Sequence, residues 1–187
     1  MSHALFHPRV WYGLMMTRMI ETIPMPTLLI IYHSMTRGTE QMAQACAAAA
    51  KLENNIEVMV KQASETTAVD VLDAHGYIFA TPEYLGSTSG MMKDFFDRTY
   101  YDVIEQVNAR PYAVMVCAGS DGQGAVRQID RIVTGWRLKQ IAPAVIVNVQ
   151  AQTKTRILQD KHLIEAQLRP CAELGTLMAT GLGMSVF

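Results

Sequence analysis

The chain has no surplus of charge, few cysteines, and no long apolar run. Its 187 residues carry 16 Lys and Arg against 17 Asp and Glu, a formal net charge of -1. A protein that grips a polyanion needs a basic face, so nucleic acid is not an expected partner. The three cysteines, Cys46, Cys117 and Cys171, form neither a CxxC pair nor a Cys/His cluster with metal spacing. Each lies in an apolar stretch and reads as a buried thiol, and a sparse, odd count fits a reducing, cytoplasmic setting. No stretch approaches the ~18 consecutive apolar residues that cross a bilayer, so no integral membrane segment is expected. Two nucleotide signatures are also missing: GxGxxG does not occur, and no GKS or GKT follows a glycine-rich turn. Ser/His/Asp or Cys/His pairings at recognisable spacing are absent as well.

Half of the residues are hydrophobic and 18% are charged, which is the balance of a chain with a folded core. The length suits one domain. Residues 1–25 differ from the rest, with His3, His7, Arg9 and Arg18 set among apolar residues and methionines at 15, 16, 19 and 25. Arg18 and Glu21 interrupt the apolar core that a signal peptide needs. The stretch reads as an N-terminal extension, either a short helix packed on the domain or on a partner, or the product of a start site placed upstream. The domain proper is expected over 26–187.

From Pro26 onward short apolar runs alternate with helical patterns. The runs are Leu28–Tyr32, Ile56–Val60, Tyr77–Ala80, Tyr112–Cys117 and Ala144–Val149. They are nearly continuous in apolar character, as strands buried on both faces are. Between them lie an alanine-rich segment, Glu40–Leu52, then Thr66–Ala74, Gly90–Tyr100 and Gly124–Trp136. The last two carry apolar residues at three-to-four spacing. Arg156–Thr180 is also helical in pattern, with Pro170 expected to break it or to open a new helix. Five alternations predict an α/β, doubly wound three-layer sandwich on a five-stranded parallel sheet, in the order 2-1-3-4-5.

In such sheets ligands bind beyond the carboxyl ends of the strands. The first loop there reads His33-Ser34-Met35-Thr36-Arg37-Gly38-Thr39-Glu40. Its hydroxyls and the helix N-terminus behind it suit a phosphate monoester, and Arg37 either adds charge or stays solvated. The plainer alternative is a polar turn capped by Thr39. The third loop reads Thr81-Pro82-Glu83-Tyr84-Leu85-Gly86-Ser87-Thr88-Ser89-Gly90 and offers an aromatic and a glycine for close approach to a flat ligand, with Ser87 or Ser89 capping the next helix. Read plainly, it is a capping turn with Tyr84 on the surface. The fourth, Ala118-Gly119-Ser120-Asp121-Gly122-Gln123-Gly124, is either a second backbone approach to that ligand or a flexible turn. Of the remaining residues, His33 and His75 read as structural, Trp136 as core or interface, and the Tyr100-Tyr101 pair as core packing before any contact with a ligand or a partner subunit.

Taken together, Ser34-x-Thr36-Arg37-Gly38-Thr39, Pro82-Glu83-Tyr84 with Gly86-Ser87, and Gly90-Met91-Met92-Lys93-Asp94-Phe95-Phe96-Asp97-Arg98 resemble the flavodoxin-like superfamily. The similarity is to its NAD(P)H-dependent FMN reductases and tryptophan-repressor-binding-protein-like quinone reductases. The glycine of the first loop stands one place later than in the usual flavodoxin pattern. The resemblance implies an FMN-dependent oxidoreductase that takes electrons from NAD(P)H and passes them to a small quinone-like acceptor. The alternatives are a flavodoxin-type electron carrier and a scaffold without flavin. By the same resemblance Ser34, Thr36, Gly38 and Thr39 hold the FMN phosphate beside Arg37, and Met35 meets the ring or ribityl chain. Thr81, Pro82, Glu83, Tyr84, Leu85, Gly86 and Ser87 form the ring loop, and Ala118, Gly119 and Ser120 border the other edge. No side chain is expected to be an indispensable acid or base, and a homodimer or homotetramer is the assembly the resemblance suggests.

Overall fold

The computed structural model describes residues 25–187. The extension expected over 1–25 therefore lies, but for Met25, outside the described residues.

Strand β1 (Thr27–Tyr32) leads into helix α1 (Gly38–Ala50), then β2 (Glu57–Gln62), α2 (Ala68–Asp73), β3 (Gly76–Tyr84) and the two-residue β4 (Ser87–Thr88). Helix α3 (Gly90–Val103) and β5 (Pro111–Ala118) follow, then α4 (Gln123–Gly135), β6 (Lys139–Gln140), β7 (Val145–Asn148), α5 (Lys154–Leu158) and α6 (Glu165–Gly183). The parallel sheet runs β2-β1-β3-β5, and β6 and β7 share the position beyond β5. With the β4 hairpin set aside, this is the expected order 2-1-3-4-5. The fifth position is split because β6 pairs with Pro111 and Tyr112, and β7 with Met115–Ala118. Pro143 lies between them and has no N–H to donate to a ladder.

The apolar runs are strands because each buries both faces. Leu29, Ile31, Tyr77, Phe79, Val114 and Val116 point to one side, where α3 and α4 supply Phe95, Phe96, Ile129 and Trp136. Leu28, Ile30, Ile78, Ala80, Ala113 and Met115 point to the other, against Met42, Cys46, Ala47, Leu174 and Met178 of α1 and α6. All three cysteines are buried free thiols. Among the described residues no helix is long and apolar enough to cross a membrane.

Two local expectations are corrected. Pro170 neither ends nor begins a helix but sits inside α6. The missing N–H costs about 3 kcal/mol in a helix interior. Burial of Cys171, Leu174, Met178 and Leu182 just beyond it offsets that at roughly 1.5–3 kcal/mol per large side chain. The tyrosine pair also divides: Tyr100 stacks on Trp136 at 27°, whereas Tyr101 is 83% exposed and is not core.

Candidate functional site

The strands of a parallel sheet all present their carboxyl ends at one rim, and here that rim holds a cavity of about 620 Å³. This falls within the range of small-molecule sites, roughly 300–1,000 Å³. Its walls come from the segments leaving β1, β3, β5 and β7, together with α5 and the stretch after it.

The first wall is the turn from β1 into α1. Arg37 is the residue before the helix and adopts a left-handed conformation, φ 62°, with no side chain capping the helix start. The first amides of a helix have no intrahelical acceptor and carry a partial positive charge. They stay uncapped here because Thr39 is not the cap but the second residue of the helix. Its hydroxyl is fully buried and has no hydrogen-bond partner. Gly38 is required by close approach: a Cβ there would stand 2.6 Å from Cys117 Sγ. Arg37 itself points away, 61% exposed and 3.4 Å from Glu40.

The third loop, expected as a turn, is a hairpin. Glu83 pairs with Thr88 and Tyr84 with Ser87, antiparallel. The connecting Leu85 and Gly86 both have positive φ, 52° and 72°, as in a type I′ turn. Gly86 adopts this conformation without strain, whereas Leu85 lacks glycine's freedom and yet is fully exposed on the cavity rim. Beneath the hairpin the buried Thr81 hydroxyl accepts from Ser89 N–H at 3.1 Å and from Thr88 Oγ1 at 3.0 Å. Ser89, not Ser87, caps α3. Ser87 and Thr88 N–H are tied instead to Gln128 of α4.

Glu83 joins the third loop to the fourth. Its carboxylate accepts from the N–H groups of Gly122 (2.7 Å), Gly124 (2.9 Å) and Ala125 (3.3 Å). The start of α4 is thus already occupied by an anion, and Ser89 covers the start of α3. Of the starts of α1, α3 and α4, that of α1 is the one without a side-chain partner and so open to a ligand anion.

Ala118, Gly119 and Ser120 form the far wall, where Val149 N–H donates to Ala118 O at 2.9 Å. Burial raises the Cys117 thiol to about 11 against the opposing charge of Lys161, and also raises the Tyr84 phenol. His33 meets Tyr84 edge-on at 6.1 Å, and burial lowers its imidazole below the usual range.

The structure therefore brings Ser34, Met35, Thr36, Gly38, Thr39, Pro82, Glu83, Tyr84, Leu85, Gly86, Ala118, Gly119 and Ser120 around one cavity. Arg37, Thr81 and Ser87 do not line it. Sequence reasoning missed Cys117, Val149, Ala151, Ile157 and Lys161, which do. The first three end or follow strands, so the carboxyl-end rule could have found them. No local pattern marks Ile157 or Lys161.

A doubly wound sheet in the order 2-1-3-4-5, with its cavity at this rim, is the flavodoxin-like fold. Residues 60–152 match the family model described as NADPH-dependent FMN reductase. That match covers just under half of the chain, so the chain is similar to this family in sequence and shares the flavodoxin-like fold. A flavodoxin of Aquifex aeolicus is 32% identical over 100 residues, 54% of each chain. A quinone NAD(P)H dehydrogenase of Acidithiobacillus ferrooxidans is 34% identical over 95 residues, 40% of this chain and 48% of that one. The chain spans about half the length of these relatives. A solved archaeal flavodoxin superposes with a TM-score of 0.68 at 16% identity, covering 83% of this chain and 98% of its own.

Proposed function

We propose that residues 26–187 form an FMN-binding oxidoreductase domain that takes electrons from NAD(P)H and delivers them to a small quinone-like acceptor. The observation that carries this reading is the open start of α1, with the unpartnered Thr39 hydroxyl at the edge of the cavity. A buried hydroxyl without a partner costs roughly 1–3 kcal/mol, and a phosphate oxygen relieves that cost. The donor set is therefore right for a phosphate monoester, and the apolar walls behind it suit a flat ring system. The family match and the quinone-reducing relative favour the same cofactor and acceptor class.

When bound, FMN would supply the hydride and electron-transfer chemistry. The amides of α1 and Thr39 would hold the phosphate. Pro82 to Gly86 would border the ring, and Glu83 fixes that hairpin through α4. Leu85, Tyr84 and Met35 restrict water, and the backbone of Gly119 and Ser120 borders the far edge. Cys117, raised to about 11, stays a neutral thiol at physiological pH and takes no part as a nucleophile.

A second reading, an electron carrier that docks on other proteins, is favoured by the flavodoxin relative. Carriers use charge to steer docking, and a net charge of -1 gives little of it. Steady-state oxidation of NADH or NADPH with a soluble quinone separates the two. Sustained turnover supports the oxidoreductase. FMN-loaded protein that is not reduced by either nucleotide supports the carrier.

A further inference from the structure

The first loop resembles a phosphate socket, yet its own arginine faces solvent. Another cation lines the cavity. Lys161 comes from the stretch between α5 and α6, which lies beyond the residues matched by the family model. Resting on the FMN reading above, we propose that Lys161 is the charge partner of the cofactor's phosphate and lets the site prefer FMN over unphosphorylated riboflavin.

Three hydrogen bonds dock this stretch on the phosphate loop. Lys161 N–H donates to Thr36 O at 2.8 Å. Gln41 Nε2 donates to Lys161 O at 2.7 Å and to Arg37 O at 2.9 Å. Leu163 N–H donates to Gln41 Oε1 at 3.1 Å. Gln41 thus clamps two segments 120 residues apart, and it is a positioning residue for the lysine. The stem of Lys161 then crosses the helix start, its Cγ 3.4 Å from where a Cβ on Gly38 would stand.

The ammonium is poised for an anion. It donates to the carbonyls of Ile157, at 3.0 Å, and Gln159. An ammonium has three donors, so one is left over. No carboxylate pairs with it among the described residues. The other basic side chains nearby do not line the cavity: Arg37 pairs with Glu40, and Arg156 borders two adjoining recesses, one of which Lys161 also lines. Thr39 adds an independent sign of a ligand, being a buried hydroxyl without a partner on the same helix turn.

The test is titration of the full chain with FMN and with riboflavin, comparing wild type, K161Q and K161R. A charge-assisted hydrogen bond to the Lys161 ammonium predicts that K161Q weakens FMN about tenfold and leaves riboflavin within about twofold. K161R should recover most of the loss, and raising the salt should erode FMN affinity more in wild type than in K161Q. A thermal melt of each variant establishes that it is folded. If K161Q is folded and keeps the wild-type ratio of FMN to riboflavin affinity, the assignment of Lys161 is overturned. Should K161Q not fold, a wild-type FMN affinity indifferent to salt overturns it equally. A wild-type protein that binds neither flavin overturns the FMN reading itself, a different outcome from either.

Discussion

Replacing Glu83 by alanine tests the joint that holds the cavity's two central loops together. The carboxylate accepts three amides at the start of α4, at 2.7, 2.9 and 3.3 Å. Hydrogen bonds to charged groups contribute about 1.5–3 kcal/mol each in favourable cases, but three on one part-buried carboxylate do not add. A helix cap contributes about 1 kcal/mol, and a charge at the dipole's positive end roughly 0.3–1 kcal/mol more. Glu83→Ala should therefore cost about 1.5–3 kcal/mol. For a chain of this size that is a fall in Tm of roughly 3–12 °C. Glu83→Gln keeps an acceptor without the charge and should fall between wild type and alanine. Urea denaturation followed by circular dichroism, alongside a thermal scan, measures both variants. Because the Leu85-Gly86 turn is held against α4 through Glu83, the alanine variant should also lose affinity for flavin. An alanine variant within about 0.5 kcal/mol of wild type would refute the view that Glu83 is a structural clamp.

Thr39→Val removes a buried hydroxyl that has no partner, so the flavin-free protein should be as stable as wild type or more so, while FMN affinity falls several-fold; denaturation and titration of the same variant check both. Leu85→Asn places a residue tolerant of φ 52° on an exposed turn and should stabilise the protein by about 0.5–1 kcal/mol, with weaker flavin binding as the cost of losing an apolar rim; equal binding would show that Leu85 has no part in the site. For Asp70, burial raises the carboxyl, but hydrogen bonds from Lys61 Nζ at 2.7 Å and from Thr67 outweigh it and hold the group below its ordinary value. A depressed carboxyl stabilises the fold above its unfolded pKa, about 4, and that contribution is lost as the pH falls through the lower folded value. Stability of the wild type should therefore drop more steeply below pH 4 than that of Asp70→Asn, as urea midpoints at several pH values would show.

The strands β1, β3 and β5 were legible because two buried faces leave an unbroken run of β-branched, aromatic and other apolar residues. The positions of the loops followed from that sheet. Details that depend on distant partners were not legible. Pro82 reads as a turn former, and Leu-Gly is not a recognised type I′ pair, so the hairpin with β4 was hidden. Glu83 looks like any loop carboxylate until α4 is brought 39 residues back to it. Arg37 reads either as a cation for the first loop or as a solvated side chain, and the structure has it solvated beside Glu40. Lys161 sits in a polar stretch without periodicity, 120 residues from the glutamine whose side chain holds its carbonyl.

The central claim is that the cavity at the strand ends holds a phosphorylated flavin. Titration of the purified protein with FMN, followed by quenching of flavin fluorescence and by calorimetry, tests it most directly. Saturation at one flavin per chain, abolished or weakened several-fold by Thr39→Val, is the predicted result. Unquenched fluorescence with no heat of binding would contradict it.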